Sequence, residues 1–276
     1  MIGGVLWMSP FSAAAGRPSA SSIACLANLS AEFEAMKPNW AVYHRYADRQ
    51  PVEFLELRWF DRALLRVAGR VNTWGSEEWL SMSGEDQCRA EFESLGRSAE
   101  TAGLRLAFIA NHSPSQFDYG RFVSELRVAA RAAFSAIRAS QTASPPNAYA
   151  LLTDSSAMTI GPVAGLVDIA SGGDSVWNCS EWQFFEGVGF FDICYRMILT
   201  QHRGPESNVP FGEFQPRMFE SCIQALEGLV QEGFFGSPDE RAGVVVRFQV
   251  SDHDEIPGAT QRLNTPEIAR AFDSWG

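Results

Sequence analysis

Residues Asp118 to Ile160, DYGRFVSELRVAARAAFSAIRASQTASPPNAYALLTDSSAMTI, set the fold class of this chain. Asp118 can accept from the unpaired N–H groups at a helix start. Behind it Phe122, Leu126, Ala129, Ala133 and Ile137 recur at helical spacing, one apolar face of a helix. Pro145 and Pro146 end that period. Two short apolar runs follow, Tyr149–Thr153 and Met158–Ile160, joined by a polar turn at Asp154–Ser155–Ser156, and they read as paired strands. A helix feeding strands makes the unit α+β.

The same reading extends in both directions. Trp40–Tyr43 and Phe54–Phe60 read as strands, with Leu55, Leu57 and Trp59 alternating against Glu56 and Arg58. Ser83 with Asp86 resembles a capping box, opening a helix with Cys88, Phe92, Leu95 and Ala99 on one face and Gly103 as its stop. Leu104–Ala110 is a strand, and Ile23 to Met36 carries a further helical stripe that Pro38 ends. Downstream, helices are expected over Phe190–Leu199 and Phe214–Gln231, a strand over Val244–Val250, and a short last helix at Thr265–Pro266. The polar Asn111–Gln116 segment reads as a linker. The expected architecture is therefore two α/β-mixed units, each a small, mainly antiparallel sheet packed against helices. They span residues 21–112 and 113–276, after a loosely ordered stretch over residues 1–20.

Composition narrows the function. With 276 residues, 46% of them hydrophobic and 12% aromatic, the chain can bury a large core. Its formal charge of −11 opposes direct contact with nucleic acid and favours a basic protein partner. No apolar run reaches membrane-spanning length, and no basic n-region precedes an apolar core at the N-terminus. The five cysteines are odd in number and irregularly spaced, with Cys88 and Cys222 on apolar stripes. Buried thiols in a reducing cytoplasm are the expectation.

Catalytic signatures are absent: no GxSxG, no Walker loop, no HExxH. Gly187–Val188–Gly189–Phe190 opens like a dinucleotide loop but lacks the third glycine. His44, His112, His202 and His253 are scattered. Asp252–His253–Asp254–Glu255 is the densest set of ligand-type residues, read as a polar loop after a strand, with a metal-dependent enzyme as the alternative. Neither a cofactor nor a metal is expected.

Charge is the feature with direction. From Ala139 to Tyr195 there is no Arg or Lys, while Asp154, Asp168, Asp174, Glu181, Glu186 and Asp192 fall there. From Tyr119 onward the chain has 11 basic and 19 acidic residues. A solvated acidic face is one reading; a docking face for a cationic partner is the other. Trp182 beside Glu181 has the composition of a binding hot spot within an aromatic stretch that core packing also explains. The candidate binding set is Asp154, Asp168, Asp174, Glu181, Trp182 and Glu186. Trp74 and Trp79 beside Glu77 and Glu78 make a competing surface.

The series Tyr149–Asp154, Met158–Pro162, Ser180–Glu181–Trp182, Leu226–Gly236, Val244–Asp252 and Leu263–Asn264 resembles a bacterial domain family of unassigned biochemical function. Members of that family occur beside polymorphic and type VI secretion toxin genes. The resemblance spans roughly residues 118 to 272 and carries no catalytic residues with it. It implies an immunity protein that neutralises a nuclease effector. A regulatory scaffold within a secretion system is the further alternative.

Overall fold

Residues 40–81 and 105–110 build the first sheet. The computed structural model describes residues 38–60, 62–111, 117–203, 210–237, 239–251 and 256–275, without the side chains of Asp174, His202 and Arg203. The expected helix over 23–36, the 1–20 stretch, most of the Asn111–Gln116 linker and the Asp252–Glu255 loop lie outside these residues.

Strands β1 (Trp40–Ala47), β2 (Gln50–Phe60), β3 (Ala63–Arg70), β4 (Ser76–Ser81) and β5 (Arg105–Ala110) form an antiparallel sheet in the order β4-β3-β2-β1-β5. Asp48 and Arg49 turn β1 into β2 in two residues, both with positive φ, which matches the twist of a tight hairpin. Helix α1 (Glu85–Thr101) covers one face, burying Leu57, Trp59 and Leu64 with its own Cys88 and Phe92. The expected capping box does not form: Gly84 is the N-cap, and Ser83 before it donates its backbone N–H and hydroxyl to Gln87 Oε1, at 2.8 and 2.7 Å, not to Asp86. Strands β3 and β4 are additions to the expected list. Of β4 only Leu80 is partly buried, so this edge strand has no apolar alternation to betray it.

Helix α2 (Tyr119–Ser140) follows, with Asp118 accepting from Arg121 N at 2.9 Å as expected. The second sheet holds β6 (Ala148–Thr153), β7 (Ile160–Gly165) and β8 (Val245–Val250) in the order β7-β6-β8. It is mixed: β6 pairs β7 antiparallel and β8 parallel. The chain between the parallel strands passes through α3 (Asp174–Trp177), α4 (Asp192–Arg203) and α5 (Phe211–Gln231), and the fold closes with α6 (Ala259–Leu263) and α7 (Pro266–Asp273). An α+β fold results.

Strand β7 begins later than its sequence suggests because the Asp154 carboxylate holds the turn open. It accepts from the backbone N–H of Ser156 at 2.8 Å, Met158 at 3.3 Å and Thr159 at 2.9 Å. The strand then tolerates Pro162 because β7 is an edge, where a missing N–H costs no central ladder bond. Asn264 ties the last helices to β8, accepting from Val246 N at 2.8 Å and donating to Val246 O at 2.7 Å.

Asn39–Gly276 packs as one unit. Its largest buried cluster draws on Val42, Phe54 and Phe108 of the first sheet and on Phe122, Phe134, Phe214 and Phe248 beyond residue 112. The expected division near residue 112 falls inside this unit.

Candidate functional site

The outer margin of β7 carries the exposed part of the acidic stretch. Ala164 and Phe184 exchange two backbone hydrogen bonds, Ala164 N to Phe184 O at 2.8 Å and Phe184 N to Ala164 O at 3.0 Å. Gln183 Oε1 accepts from Leu166 N at 3.2 Å. Residues 183–185 therefore run along the free side of β7, and alternation turns Phe184 onto the core and Phe185 outward. Leu166, Phe185 and Val188 are 46%, 46% and 47% exposed. Asp168, Glu181 and Glu186 are exposed in the same segments. Asp168 caps its own turn through Ala170 N at 3.1 Å, and Glu181 accepts from Asn178 Nδ2 at 3.3 Å. Two or three acidic groups on an apolar strip can engage a cationic surface while burying hydrocarbon.

The candidate residues part company here. Asp154 lies at the opposite end of β7 from Asp168, a strand length or roughly 20 Å away. Burial pushes its carboxyl up, but the hydrogen bonds from Ser156, Thr159 and Met158 outweigh this and hold it below the usual carboxylate range. Asp154 is a turn-forming residue whose acceptors are already used. Asp174 opens the single-turn helix α3, and its side chain lies outside the described residues. Trp182 is 2% exposed and packs with Trp177, Cys179 and Val245, its ring lying over Gly165. It is a core residue, so the hot-spot expectation is corrected.

Asp192 also leaves the surface. It is fully buried at the head of α4 and anchors a polar seam between that helix and the first sheet. His44 Nε2 meets Asp192 Oδ2 at 2.8 Å, Asn72 N donates to Oδ1 at 2.9 Å, and Arg196 Nε lies 3.4 Å from Oδ1. Arg196 Nη2 donates to the Thr73 carbonyl, and its guanidinium stacks 3.6 Å from the Phe54 ring centroid. Arg58 Nε pairs with Glu56 Oε1 at 3.0 Å, and Arg196 Nη1 reaches Glu56 Oε2 at 3.8 Å. Two guanidinium groups thus offset two carboxylates. Such a seam adds little net stability but makes a misplaced helix expensive, because any slip leaves a buried charge unpaired. Its bonded pairs are separated by up to 148 residues, and spacing in the sequence carries no trace of the cluster.

On the far edge of the first sheet, Trp74 and Trp79 are 55% and 54% exposed, and Trp79 stacks on Phe60 with ring centroids 5.6 Å apart. Cys88, Cys179, Cys194 and Cys222 are buried thiols; burial pushes Cys179 up to about 12 and raises Cys194 and Cys222 as well. Among the described residues no group of three His, Cys, Asp or Glu could hold a metal ion, and no helix is long and apolar enough to cross a membrane.

A family model described as "Domain of unknown function (DUF4303)" matches residues 126–265. No curated protein matches the chain. Among solved structures, a crystal structure of a Bacteroides fragilis protein aligns at 12% identity and a TM-score of 0.23. That alignment covers 25% of this chain and 19% of the other. The matched part is about a fifth of the Bacteroides protein, and a likeness of this size carries no argument about fold or role.

Proposed function

The chain belongs to the DUF4303 family of domains of unknown function, and on that footing we propose that it is a non-catalytic binding protein. In this reading it is an immunity protein that neutralises a cognate bacterial toxin, a type VI secretion nuclease effector, by covering its basic active-site surface. The reading places the protein in the cytoplasm and requires no cofactor.

The observation that carries the proposal is the β7 margin. Leu166, Phe185 and Val188 stand out from it nearly half exposed, and Asp168, Glu181 and Glu186 are exposed beside them in the chain. No basic residue falls between Ala139 and Tyr195 in the chain. A nuclease must present Lys and Arg to hold phosphate, so an acidic strip with an apolar centre is complementary to it in charge and gains electrostatic steering. The exposed Trp74 and Trp79 favour β4 as the second candidate contact, since tryptophan is enriched among residues that dominate binding energy.

The test is a pull-down of tagged protein from its native cell lysate, followed by binding measurements on any stoichiometric partner. One tightly held basic protein is the expected result. Replacing Asp168, Glu181 and Glu186 together by Lys should then slow association by on the order of tenfold or more. Unchanged binding by that variant would move the contact to β4. Recovery of the protein alone, with no partner at any salt concentration, would end the immunity reading.

A further inference from the structure

One face of the first sheet is only partly roofed. Its five strands span about 19 Å between outer axes, and α1, the helix laid across that face, is only about 10 Å wide. Gly96 lets α1 press against Tyr43 of β1, because a Cβ at residue 96 would strike the Tyr43 hydroxyl. On the other flank of the helix, over β2 and β3, a groove of about 640 Å³ stays open. Leu55 and Ala68, opposite each other on β2 and β3, form its floor, and Leu95, Ala99 and Leu104 form the wall. All five are buried or half-buried and belong to, or pack against, the cluster beneath α1.

Glu53, Arg66 and Arg70 are the charged residues of the lining. Register places Arg45, Glu53 and Arg70 in one row across β1, β2 and β3, on the face that α1 partly covers. Glu53 is taken by Arg45 Nε at 2.8 Å, and Arg66 Nη1 donates to Glu78 Oε2 at 2.8 Å. Arg70 is exposed and, among the described residues, has no carboxylate at ion-pair distance. The charge left over in the groove is therefore a guanidinium, in a chain of net charge −11. Small-molecule sites run from about 300 to 1,000 Å³, so the groove has the right size for one. Its hydrocarbon floor suits an apolar body, and a guanidinium pairs with a carboxylate through two parallel N–H···O bonds. We propose that the groove binds a small organic carboxylate, its apolar body against Leu55, Ala68 and Leu95 and its head on Arg70. The site shares no residue with the β7 margin and stands whether or not a toxin is the partner.

Isothermal titration of the full-length protein with decanoate and with naphthalene-2-carboxylate tests the site. Saturable binding of at least one of them is expected, and weaker binding of the corresponding neutral amide. Arg70→Gln should weaken the carboxylate by roughly threefold to tenfold, the range for one partly solvated charge pair. Arg97→Gln, exposed on α1 outside the groove lining, should leave binding unchanged. Ala68→Trp fills the floor and should abolish binding. Should that variant fail to fold, Ser98→Trp, at an exposed position of the lining, replaces it. Failure of both carboxylates to bind overturns the proposal, as does equal affinity for the neutral amides or equal loss in Arg70→Gln and Arg97→Gln. Sedimentation covers the other occupant: a dimer that Ala68→Trp converts to monomer assigns the groove to a second copy of the chain and likewise overturns the proposal.

Discussion

At the scale of single residues, Asp192 and Glu181 make the sharpest contrast in the acidic stretch. Asp192 serves His44, Asn72 and Arg196 at once in the interior, so Asp192→Ala leaves the buried Arg196 guanidinium without its nearest counter-charge and the His44 ring and Asn72 N–H without their partner. The expected cost is about 3–5 kcal/mol in urea unfolding. Glu181→Ala, on the surface, should stay within about 0.5 kcal/mol. Near-equal losses would remove the seam from the account. Asp154 belongs to this scale too. Its folded pKa lies below the ordinary carboxylate value, so its stabilisation is present in full above that value and is lost as pH falls through the folded one. Asp154→Asn should therefore lower the urea midpoint at neutral pH and flatten its decline as pH falls below the ordinary carboxylate value. A decline of unchanged steepness would mean other carboxylates carry it.

Elements are positioned by close approaches that permit little substitution. Gly187 has φ +90°, and a Cβ there would lie 2.9 Å from Ala133 Cβ on α2. The turn it makes carries Phe185 and Val188 on one side and Phe191 of the core on the other. Gly187→Ala is expected to cost about 2–4 kcal/mol, from left-handed strain plus overlap with a rigid neighbour. Gly172, with φ +62° and open space around its Cβ position, bears the strain alone, and Gly172→Ala should cost about 1 kcal/mol. Comparison of the two Tm values separates strain from collision. Phe185→Ala has the opposite profile: little change in Tm, and a weaker complex with the partner of the proposed function.

For the whole molecule, the relevant quantity is a charge of −11 on a chain whose arginines are mostly tied up in ion pairs. Arg262 alone bridges Glu220 and Glu227 of α5 through four hydrogen bonds of 2.8 Å. The acidic excess therefore faces outward. If a basic toxin is the partner, its association rate should fall steeply with salt as the Debye length contracts from about 10 Å at 0.1 M to about 3 Å at 1 M, while dissociation changes little. A rate indifferent to salt would place an apolar contact, such as Trp74 and Trp79, in charge of recognition.

Readable along the chain were the helices with strong apolar periods, the strands at 54–60, 149–153 and 244–250, the α+β class and the sign of the net charge. Each rests on local pattern or on a sum over residues, and neither needs a partner distant in the chain. Tertiary structure decided the rest. Strand β3 exists because β2 offers it a ladder, and β4 because β3 does; β8 joins the second sheet in parallel through pairing with a strand nearly a hundred residues earlier. Within one acidic and aromatic stretch, packing sent Asp192 and Trp182 inward, spent Asp154 on a turn, and left Asp168, Glu181 and Glu186 in solvent. Burial depends on which elements meet, and those meetings are made by contacts that no window along the sequence contains.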